Sequence, residues 1–261
     1  MKLYVLYLGD ACTYYRSLAP GVDDNRRIHV PIRSLLIETD DGQAVVIDTG
    51  NPRASINSPT ATNMQTRFSG KTLRSSTRLS RLHVTMRPED FLLRRLANLD
   101  VGPGDVKHLI NTHFHSDHAG NNDLFPGATC YAQRGHLEDA LDNPAFPAEF
   151  WKIPSINYQP VDGTEEILPG VTLVHTPGHV PFHQSVIIDL PHTGRVVVCG
   201  DAIFCEDQLK HEAWSNHKDP ELAKSTAHML QSLIADRPGF LLFGHDPAQN
   251  QVLKAPPFYY D

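Results

Sequence analysis

Residues 112–120 read Thr-His-Phe-His-Ser-Asp-His-Ala-Gly, which places three histidines and one aspartate within six positions. His113 and His115 alternate, so on an extended segment that leaves a strand their side chains point to the same side. Asp117 and His118 come where the chain turns into the next segment. Imidazole and carboxylate groups are the usual ligands of zinc and similar ions. The run therefore predicts a metal site, against the alternative that four titratable side chains are packed together by chance.

A metal centre needs more ligands than this run supplies, and three isolated residues stand where further ligands are expected. His179, Asp201 and His245 each follow an apolar run and a glycine, in Thr-Pro-Gly-His, Cys-Gly-Asp and Phe-Gly-His. A glycine after a strand lets a loop bring such a side chain close to its neighbours. Taken singly, each residue fits a structural role better. Beside the run at 113–118, each is predicted to be a ligand.

The pattern of apolar residues predicts more strands than helices. An alternating run at Lys2–Gly9 and a hairpin of His29–Glu38 with Ala44–Asp48 begin a sheet. Further strands are predicted at Val106–Thr112, Ala128–Ala132, Val171–His175, Ser185–Leu190, Arg195–Cys199 and Phe240–Phe243, and helices at Pro88–Leu99, Gly135–Leu141 and Pro220–Asp236. The loose alternation of strands and helices indicates an α/β or α+β class.

The clearest predicted helix is Pro220–Asp236. Asp219 suits the N-cap, Pro220 suits the first helical position, and Pro238-Gly239 ends the helix. One face carries apolar and small side chains at helical spacing, namely Leu222, Thr226, Met229, Leu230 and Leu233. This face is predicted to pack in the core.

The segment at about 51–87 differs in character from the rest of the chain. Between Asp48 and Glu89 it has no acidic residue but seven basic ones. It is expected to be a long solvated loop, a lid or a subunit contact, with a site for a polyanion as a further alternative.

Composition bounds the class of protein. With 261 residues, 40% of them hydrophobic and 20% charged, the chain is expected to form a single domain over 1–261 with a sizeable core. A net charge of −7 argues against a nucleic-acid partner. Four scattered cysteines without a Cys-x-x-Cys pair, and no apolar stretch long enough to span a membrane, favour a cytoplasmic protein with no membrane partner.

The sequence resembles the metallo-β-lactamase-fold hydrolases, and among them the N-acyl-homoserine lactone lactonases, which act in quorum quenching. The resemblance extends from about residue 28 to about residue 250. The residues that carry it are the run 113–120, Thr176-Pro177-Gly178-His179 with His183-Gln184-Ser185, Gly200-Asp201, Phe243-Gly244-His245-Asp246, Ile47-Asp48-Thr49-Gly50 and Asp219-Pro220-Glu221-Leu222-Ala223.

The resemblance implies a four-layer αββα sandwich with two divalent metal ions at one edge. The ligands that it implies are His113, His115 and His179 for one ion, Asp117, His118 and His245 for the second, and Asp201 bridging both. Zinc is the expected metal, with iron, cobalt or manganese as alternatives. A hydroxide shared by the two ions would attack the substrate carbonyl, and Asp117 is the implied catalytic residue, which orients the reaction or accepts a proton.

The implied substrate is a small-molecule lactone, such as an acyl-homoserine lactone. The alternative is a glyoxalase II-like thioester hydrolase or another ester hydrolase, although only sixteen residues follow His245, too few for the extra helical region of the thioester enzymes. One departure concerns Phe204, because many of these lactonases carry a tyrosine three residues after the bridging aspartate. A phenyl ring cannot donate a hydrogen bond, so another group takes that role or the substrate differs. The oligomeric state is left open, with a homodimer as one alternative.

Two further residues are candidates for supporting the ligands. Asp48 is placed to accept a hydrogen bond from a ligand histidine, as metal-bound imidazoles usually require. His183 either orients a ligand or caps a turn. The histidines with no spacing argument are expected to be ordinary surface or core residues: His29, His83, His108, His136, His175, His192, His211, His217 and His228.

Overall fold

Two β-sheets form the centre of the structure, a computed structural model that describes residues 1–22, 24–56 and 83–261. The strands over these residues are β1 (Lys2–Tyr14), β2 (Arg27–Glu38), β3 (Ala44–Ile47), β4 (His83–Thr85), β5 (Val106–Ile110), β6 (Thr129–Gln133), β7 (Asn157–Val161), β8 (Glu165–Leu168), β9 (Val171–His175), β10 (Gln184–Leu190), β11 (Gly194–Gly200) and β12 (Gly239–Phe243). The first sheet has the order β4-β1-β2-β3-β5-β6-β7, and the second has the order β12-β11-β10-β9-β8.

The helices are short. Over the described residues they are α1 (Tyr15–Leu18), α2 (Leu92–Ala97), α3 (Ser116–Ala119), α4 (Arg134–Asp139), α5 (Ala148–Trp151), α6 (Glu206–Lys210), α7 (Pro220–Ser232) and α8 (Pro247–Asn250), with 3-10 turns at Arg53–Ser55, Pro88–Asp90 and Asn122–Leu124. The longest of these, α7, has 13 residues. None of the described helices is long and apolar enough to cross a membrane.

Alternation of side chains along the strands produces the inner layer of the core. On one face of the first sheet, Leu3, Val5 and Leu35 point toward the second sheet. There they belong to one buried cluster with Val186 and Val198 of β10 and β11. The two sheets therefore pack face to face as a sandwich.

Helices cover the outer faces of both sheets. Leu92 and Leu96 of α2 pack with Leu6 on the outer face of the first sheet. Ala227 and Leu230 of α7 belong to the cluster on the outer face of the second sheet. The order of layers is helix, sheet, sheet, helix, which confirms the αββα sandwich and the mixed α/β class that the sequence indicated.

The strand ends that lead to the predicted ligands lie at one edge of the sandwich. Strands β3 and β5 are parallel in the first sheet, and β11 and β12 are parallel in the second. Strand β10 is antiparallel to both β9 and β11, so β9 runs in the same direction as β11. The backbone N–H of Gln184 donates to the carbonyl of Thr112 at 2.9 Å and joins the two sheets at this edge.

The first strand is longer than predicted. Its predicted end at Gly9 is a bulge instead, because the pairing of β1 with β2 shifts register between Tyr7 and Asp10 and continues to Tyr14. Gly9 has a φ of +109°, and a Cβ at this position would lie 2.4 Å from the carbonyl oxygen of Thr85 in β4. Glycine therefore continues the strand through a bend rather than ending it. The sequence analysis also missed β4, β7 and β8; β7 contains Pro160, which is tolerated because β7 is an edge strand.

The predicted helix Pro88–Leu99 is two elements. Residues Pro88–Asp90 form a 3-10 turn, Phe91 is extended with φ −63° and ψ 135°, and α2 ends at Ala97. The buried carboxylate of Asp90 accepts hydrogen bonds from the Arg87 backbone and guanidinium and from Arg95 Nη2 at 2.7 Å. The extended Phe91 separates the two elements, and the bond from Arg95 to Asp90 links α2 to the turn that precedes it. The predicted helix Gly135–Leu141 is also shorter, as α4.

The last long helix ends earlier than predicted, at Ser232, and buries most of the predicted face. Asp219 is its N-cap, with a side chain that accepts a hydrogen bond from Leu222 N at 3.0 Å, as predicted. Leu222 itself is 40% exposed, so its predicted core position was wrong. Thr226 and Leu230 are buried as predicted, and Met229 and Leu233 pack against the same cluster. Ala223 and Ala227 complete the buried face, and their small side chains let the helix lie close to the sheet.

Most of the polar segment 51–87 lies outside the described residues, which lack 57–82. At its ends, Arg53–Ser55 form a 3-10 turn and His83–Thr85 pair with β1 as β4. The alternatives of a lid and a subunit contact stay predictions.

Asp90→Asn is expected to lower the free energy of unfolding by about 2 kcal/mol, because it removes charged hydrogen bonds from a buried carboxylate. Burial opposes ionisation, but the hydrogen bonds from Arg87 and Arg95 outweigh it and lower the pKa of Asp90. The stabilisation is therefore present at neutral pH and is lost as the pH falls through the lowered pKa. Urea denaturation measures the effect. Glu89→Gln, at an exposed side chain, is the control, and equal stability of the two variants at neutral pH would contradict the prediction.

Candidate metal centre

The histidines of the run 113–118 are brought together by the way the chain leaves β5. Residues 111–115 follow β5 without regular secondary structure, and His115 is the N-cap of α3, with φ −61° and ψ 153°. His113 Nε2 and His115 Nδ1 lie 2.8 Å apart, as the alternation predicted. His179, on the segment after β9, places Nε2 3.2 Å from His115 Nδ1. These three histidines and Asp201 form one group of ligand atoms, all within 4.8 Å of one another.

A second group forms beside the first. Asp117 and His118 lie in the first turn of α3, and His245 follows β12. Asp117 Oδ2 lies 3.8 Å from His118 Nε2 and 3.7 Å from His245 Nε2. We call Asp117, His118 and His245 the second trio, and His113, His115 and His179 the first trio.

The carboxylate of Asp201 lies between the two trios. Its Oδ2 is 3.2 Å from His179 Nε2 and 3.6 Å from His113 Nε2. Its Oδ1 is 3.0 Å from His245 Nε2 and 3.3 Å from His118 Nε2. One carboxylate thus presents one oxygen to each trio, which is the arrangement that a ligand bridging two ions requires.

The two trios differ in electrostatics. Burial holds the pKa of His113 and His179 well below the ordinary value, so these imidazoles are neutral and present a lone pair. For His118, burial acts in the same direction, but the carboxylates of Asp201 and Asp117 outweigh it and raise the pKa well above its ordinary value. The pKa of His245 is raised for the same reason. The second trio therefore attracts a positive charge, which is either a proton or a cation.

Three buried polar atoms of the predicted ligands lack hydrogen-bond partners among the described residues. One is His179 Nδ1, and the other two, His118 Nε2 and Asp201 Oδ1, face each other at 3.3 Å. A buried acceptor without a partner costs about 1–3 kcal/mol. A divalent cation near His118 Nε2 and Asp201 Oδ1 would remove that cost. The donor set therefore fits a metal ion at the second trio, which faces Oδ1, as well as one at the first trio, which faces Oδ2.

The Asp48 carboxylate supports two histidines of the run. Its Oδ2 lies 2.8 Å from His118 Nδ1, as predicted, and accepts a hydrogen bond from Thr112 Oγ1 at 2.8 Å. Thr112 Oγ1 in turn lies 3.1 Å from His113 Nδ1 and accepts its proton. Both imidazoles are thereby held with Nδ1 protonated and Nε2 free for a ligand role. Asp48 has a φ of +54°, a backbone conformation that aspartate tolerates better than most residues.

His183 orients Asp201 through a directional chain of hydrogen bonds. Its Nε2 accepts from the backbone N–H of Asp201 at 3.1 Å, and burial lowers the pKa of His183 to about 3, so Nδ1 carries the one ring proton. Nδ1 donates to Thr176 Oγ1 at 2.8 Å. Thr176 then donates to Ser185, and Ser185 donates to the Cys199 carbonyl at 3.0 Å. Of the two alternatives for His183, orienting a ligand or capping a turn, the structure supports the first, because His183 holds the backbone of Asp201.

The family described as the metallo-beta-lactamase superfamily matches residues 28–245. The chain belongs to the metallo-beta-lactamase superfamily. The N-acyl homoserine lactonase AiiA of Bacillus thuringiensis subsp. kurstaki is 30% identical over 258 residues, which cover 99% of this chain and 98% of that protein. The N-acyl homoserine lactonase of Bacillus cereus is 30% identical over 265 residues with the same shares covered.

A solved structure gives the same result. It is an N-acyl homoserine lactone hydrolase with the product N-hexanoyl-L-homoserine bound at its catalytic metal centre, and it matches with a TM-score of 0.86 at 28% identity, over 99% of this chain and 98% of that one. Similarity over nearly the whole length confirms the resemblance to the lactonase group within the superfamily.

The wall beside the trios contains two stacked aromatic rings, Phe204 and His217. The Phe204 ring lies 5.3 Å from the His179 ring and 6.0 Å from the His245 ring. His217 stacks on Phe204 at 5.0 Å and 15°. Gln208 fixes this pair, because its Oε1 accepts from Phe204 N at 2.8 Å and its Nε2 lies 2.7 Å from His217 Nε2. Phe204 therefore places an apolar ring beside the trios, at the position where the sequence analysis noted the departure from tyrosine.

Several residues that position the site were given no role from the sequence. His136 is buried, and its Nε2 accepts a hydrogen bond from the backbone N–H of Phe114 at 2.9 Å, between two of the predicted ligands. His217 was likewise assigned no role. Neither histidine has a sequence spacing that links it to the run. Thr112 and Arg33 carried a usable signal, since Thr112 precedes the run and Arg33 interrupts an apolar strand.

Asp48→Asn is expected to lower the affinity for metal by about 10–100-fold. The amide nitrogen would face His118 Nδ1 as a second donor, which favours the tautomer with the proton on Nε2 and blocks the ligand atom. Competition with a chromophoric chelator measures the affinity. Asp162→Asn, at an exposed residue paired with Arg134, is the control and should bind metal as the native chain does. Native affinity in Asp48→Asn would refute the role given to Asp48.

Proposed function

We propose that the protein is a dinuclear metal-dependent hydrolase that opens lactone rings. The observation that carries the proposal is the position of Asp201, whose two carboxylate oxygens face two separate trios at 3.0–3.6 Å. A site that holds a single ion would not need a carboxylate whose two oxygens face two separate sets of ligands. The first trio would hold one ion, the second trio would hold the other, and Asp201 would bridge them. Zinc is the metal that best suits this set of imidazole and carboxylate ligands.

The chemistry that two such ions supply when bound is Lewis acidity, which lowers the pKa of a water molecule toward neutrality and polarises a carbonyl group. The residues of the chain supply geometry and a site for the proton. Asp201 fixes the separation of the trios, and His183 fixes Asp201. The side chain of Asp117 is 30% exposed, whereas that of Asp201 is 6% exposed. Asp117 can therefore accept a proton at Oδ1 and return it to the leaving alkoxide, which is the catalytic role proposed for it.

The lactone substrate is supported by the similar proteins, which are N-acyl homoserine lactonases, one of them with its ring-opened product at the metal centre. An acyl-homoserine lactone is accordingly the first substrate to test, and quorum quenching is the corresponding role. Phe204 bears on the choice of lactone, because its ring face favours an apolar part of the substrate. A thioester or another ester remains the alternative outcome of the assay. We further propose that residues 1–261 act as one domain in the cytoplasm, and that a homodimer is the form to look for first.

The first experiment counts metal ions per chain and assays the same preparation on two substrate sets. One set contains γ- and δ-lactones, including acyl-homoserine lactones, and the other contains thioesters, including S-lactoylglutathione. About two ions per chain together with lactone opening is the expected result. Thioester cleavage alone, or neither activity, would refute lactone opening. A single tightly bound ion would refute the bridging role of Asp201.

Asp117→Asn tests the proton-transfer role. An amide keeps the shape of the carboxylate but cannot accept a proton, so kcat is expected to fall by about 10²–10⁴-fold. Metal content is measured on the same sample to separate lost chemistry from lost metal. Asp123→Asn, at an exposed residue that follows the run, is the control. Native kcat with full metal content in Asp117→Asn would remove Asp117 from the mechanism.

A further inference from the structure

Arg33 is a charged residue in the middle of an otherwise apolar stretch of β2, and it is only 8% exposed. Its Nη2 donates hydrogen bonds to the carbonyl of Phe243 and, at 3.1 Å, to the carbonyl of Gly244. Its Nε and Nη1 have no partner among the residues that the structure describes. A buried guanidinium is costly when its donors are unpaired. An apolar side chain at this position would avoid that cost, so the arginine requires an explanation.

The two carbonyls that Arg33 binds belong to the segment that carries His245. The backbone of this segment is also held from the second sheet, because Gly244 N donates to Ile203 O at 3.0 Å and His245 N donates to Phe204 O at 2.8 Å. From the first sheet, the Pro31 carbonyl lies 3.0 Å from His245 Nδ1. Strand β2 therefore contributes both a ring-orienting acceptor and, through Arg33, the donors for the preceding carbonyls.

Arg33 also lines a small cavity behind the second trio. The cavity has a volume of about 30 Å³ and is bordered at one end by all three residues of that trio. Its other walls are largely apolar, with Leu35, Val198 and Leu242 among them. A buried water molecule needs roughly 10–15 Å³ of such volume. There is room for one or two waters beside the Arg33 side chain.

The charge of Arg33 is retained at neutral pH. Burial lowers its pKa to about 10, and the carboxylate of Asp246 acts in the opposite direction. The other titratable groups that line the cavity are Asp48, Asp117, His118 and His245. A cation at this place has two opposing effects on the second trio. It orders the His245 segment, and it repels a second cation.

We propose that Arg33 is a positioning residue for the second metal site, and that it acts through the segment that carries His245. The inference rests on the proposed ligand role of the second trio. Because the guanidinium bonds directly to the two carbonyls that precede His245, ordering outweighs repulsion. Loss of Arg33 is then expected to lower the affinity of the second trio for its ion and to leave the affinity of the first trio unchanged.

The test measures stepwise Zn²⁺ affinity of metal-stripped protein by chelator competition, without any substrate. In Arg33→Met one of the two binding steps is expected to lose about 10–100-fold in affinity, the range for residues that orient metal ligands, while the other step keeps its native affinity. Arg33→Lys keeps the charge but not the planar fork of donors, so a smaller loss at the same step is expected. Leu35→Met changes the same cavity wall without a polar contact and should bind both ions as the native chain does.

Each outcome decides the proposal. Native affinity at both steps in Arg33→Met overturns it, and tighter binding of the second ion shows that repulsion dominates and overturns it as well. Equal loss at both steps indicates general damage to the fold and also overturns it, with thermal unfolding of the metal-free variants as the check. If Arg33→Met does not fold, Arg33→Lys decides by the same criterion. A failed lactone assay would leave these affinities interpretable, so the two proposals fail separately.

Discussion

The site depends on one physical requirement, that the charge of the buried Asp201 carboxylate be compensated from both sides. Burial alone would raise the pKa of this group, but the imidazoles of His118 and His245 outweigh burial and hold the pKa well below its usual range. An ionised carboxylate so deeply buried is stable only among groups that carry or attract positive charge. The two sheets meet that requirement jointly, because the first sheet brings His118 and the second brings His245. The edge where the sheets meet is therefore also where the chemistry is concentrated.

Behind the site, the hydrogen-bond partners of the polar groups fix which atom of each group carries the proton. His183 must protonate Nδ1 because its Nε2 accepts from Asp201 N, and the chain of donors then ends at a backbone carbonyl. Asp48 imposes the same tautomer on His118. Such networks are stable when every member is satisfied and costly when one is not. This packing requires a glycine at position 200, since its φ is +53° and a Cβ there would lie 2.8 Å from His183 Nε2.

Membership of the metallo-beta-lactamase superfamily accounts for the shared part of this arrangement, and the aromatic wall is where the chain differs from the pattern expected of a lactonase. Phe204 and His217 stack against each other beside His179. A phenyl ring beside the trios removes a donor and adds an apolar surface. The consequence lies in how a substrate is held rather than in how its carbonyl is attacked, because the ligand atoms of both trios are complete.

The sequence by itself determined the candidate ligands and the class of the fold. Short-range patterns carry this information, since the alternation of His113 and His115 and the glycines before Asp201 and His245 express geometry that is local to strand ends. The four layers were expected only from the resemblance to the metallo-β-lactamase-fold hydrolases, since the periodicity of the strands indicated no more than an α/β or α+β class. Where prediction failed, neighbours distant in the chain decided the outcome. Gly9 is a bulge because β4 passes close to it. Leu222 is exposed because the face of α7 that meets the sheet is centred on Ala223, Ala227 and Leu230.

Only the tertiary structure decided which side chains support the ligands. His136, His183 and Arg33 act on residues that are 22, 18 and more than 200 positions away in the chain. No sequence spacing encodes such pairs, because they arise when the ends of strands from two sheets are packed at one edge. The same holds for Asp201, whose identity as a candidate ligand was readable from Cys-Gly-Asp, but whose place between two trios depends on the contact of the sheets. Local periodicity specifies which groups are available, and long-range packing specifies which of them meet.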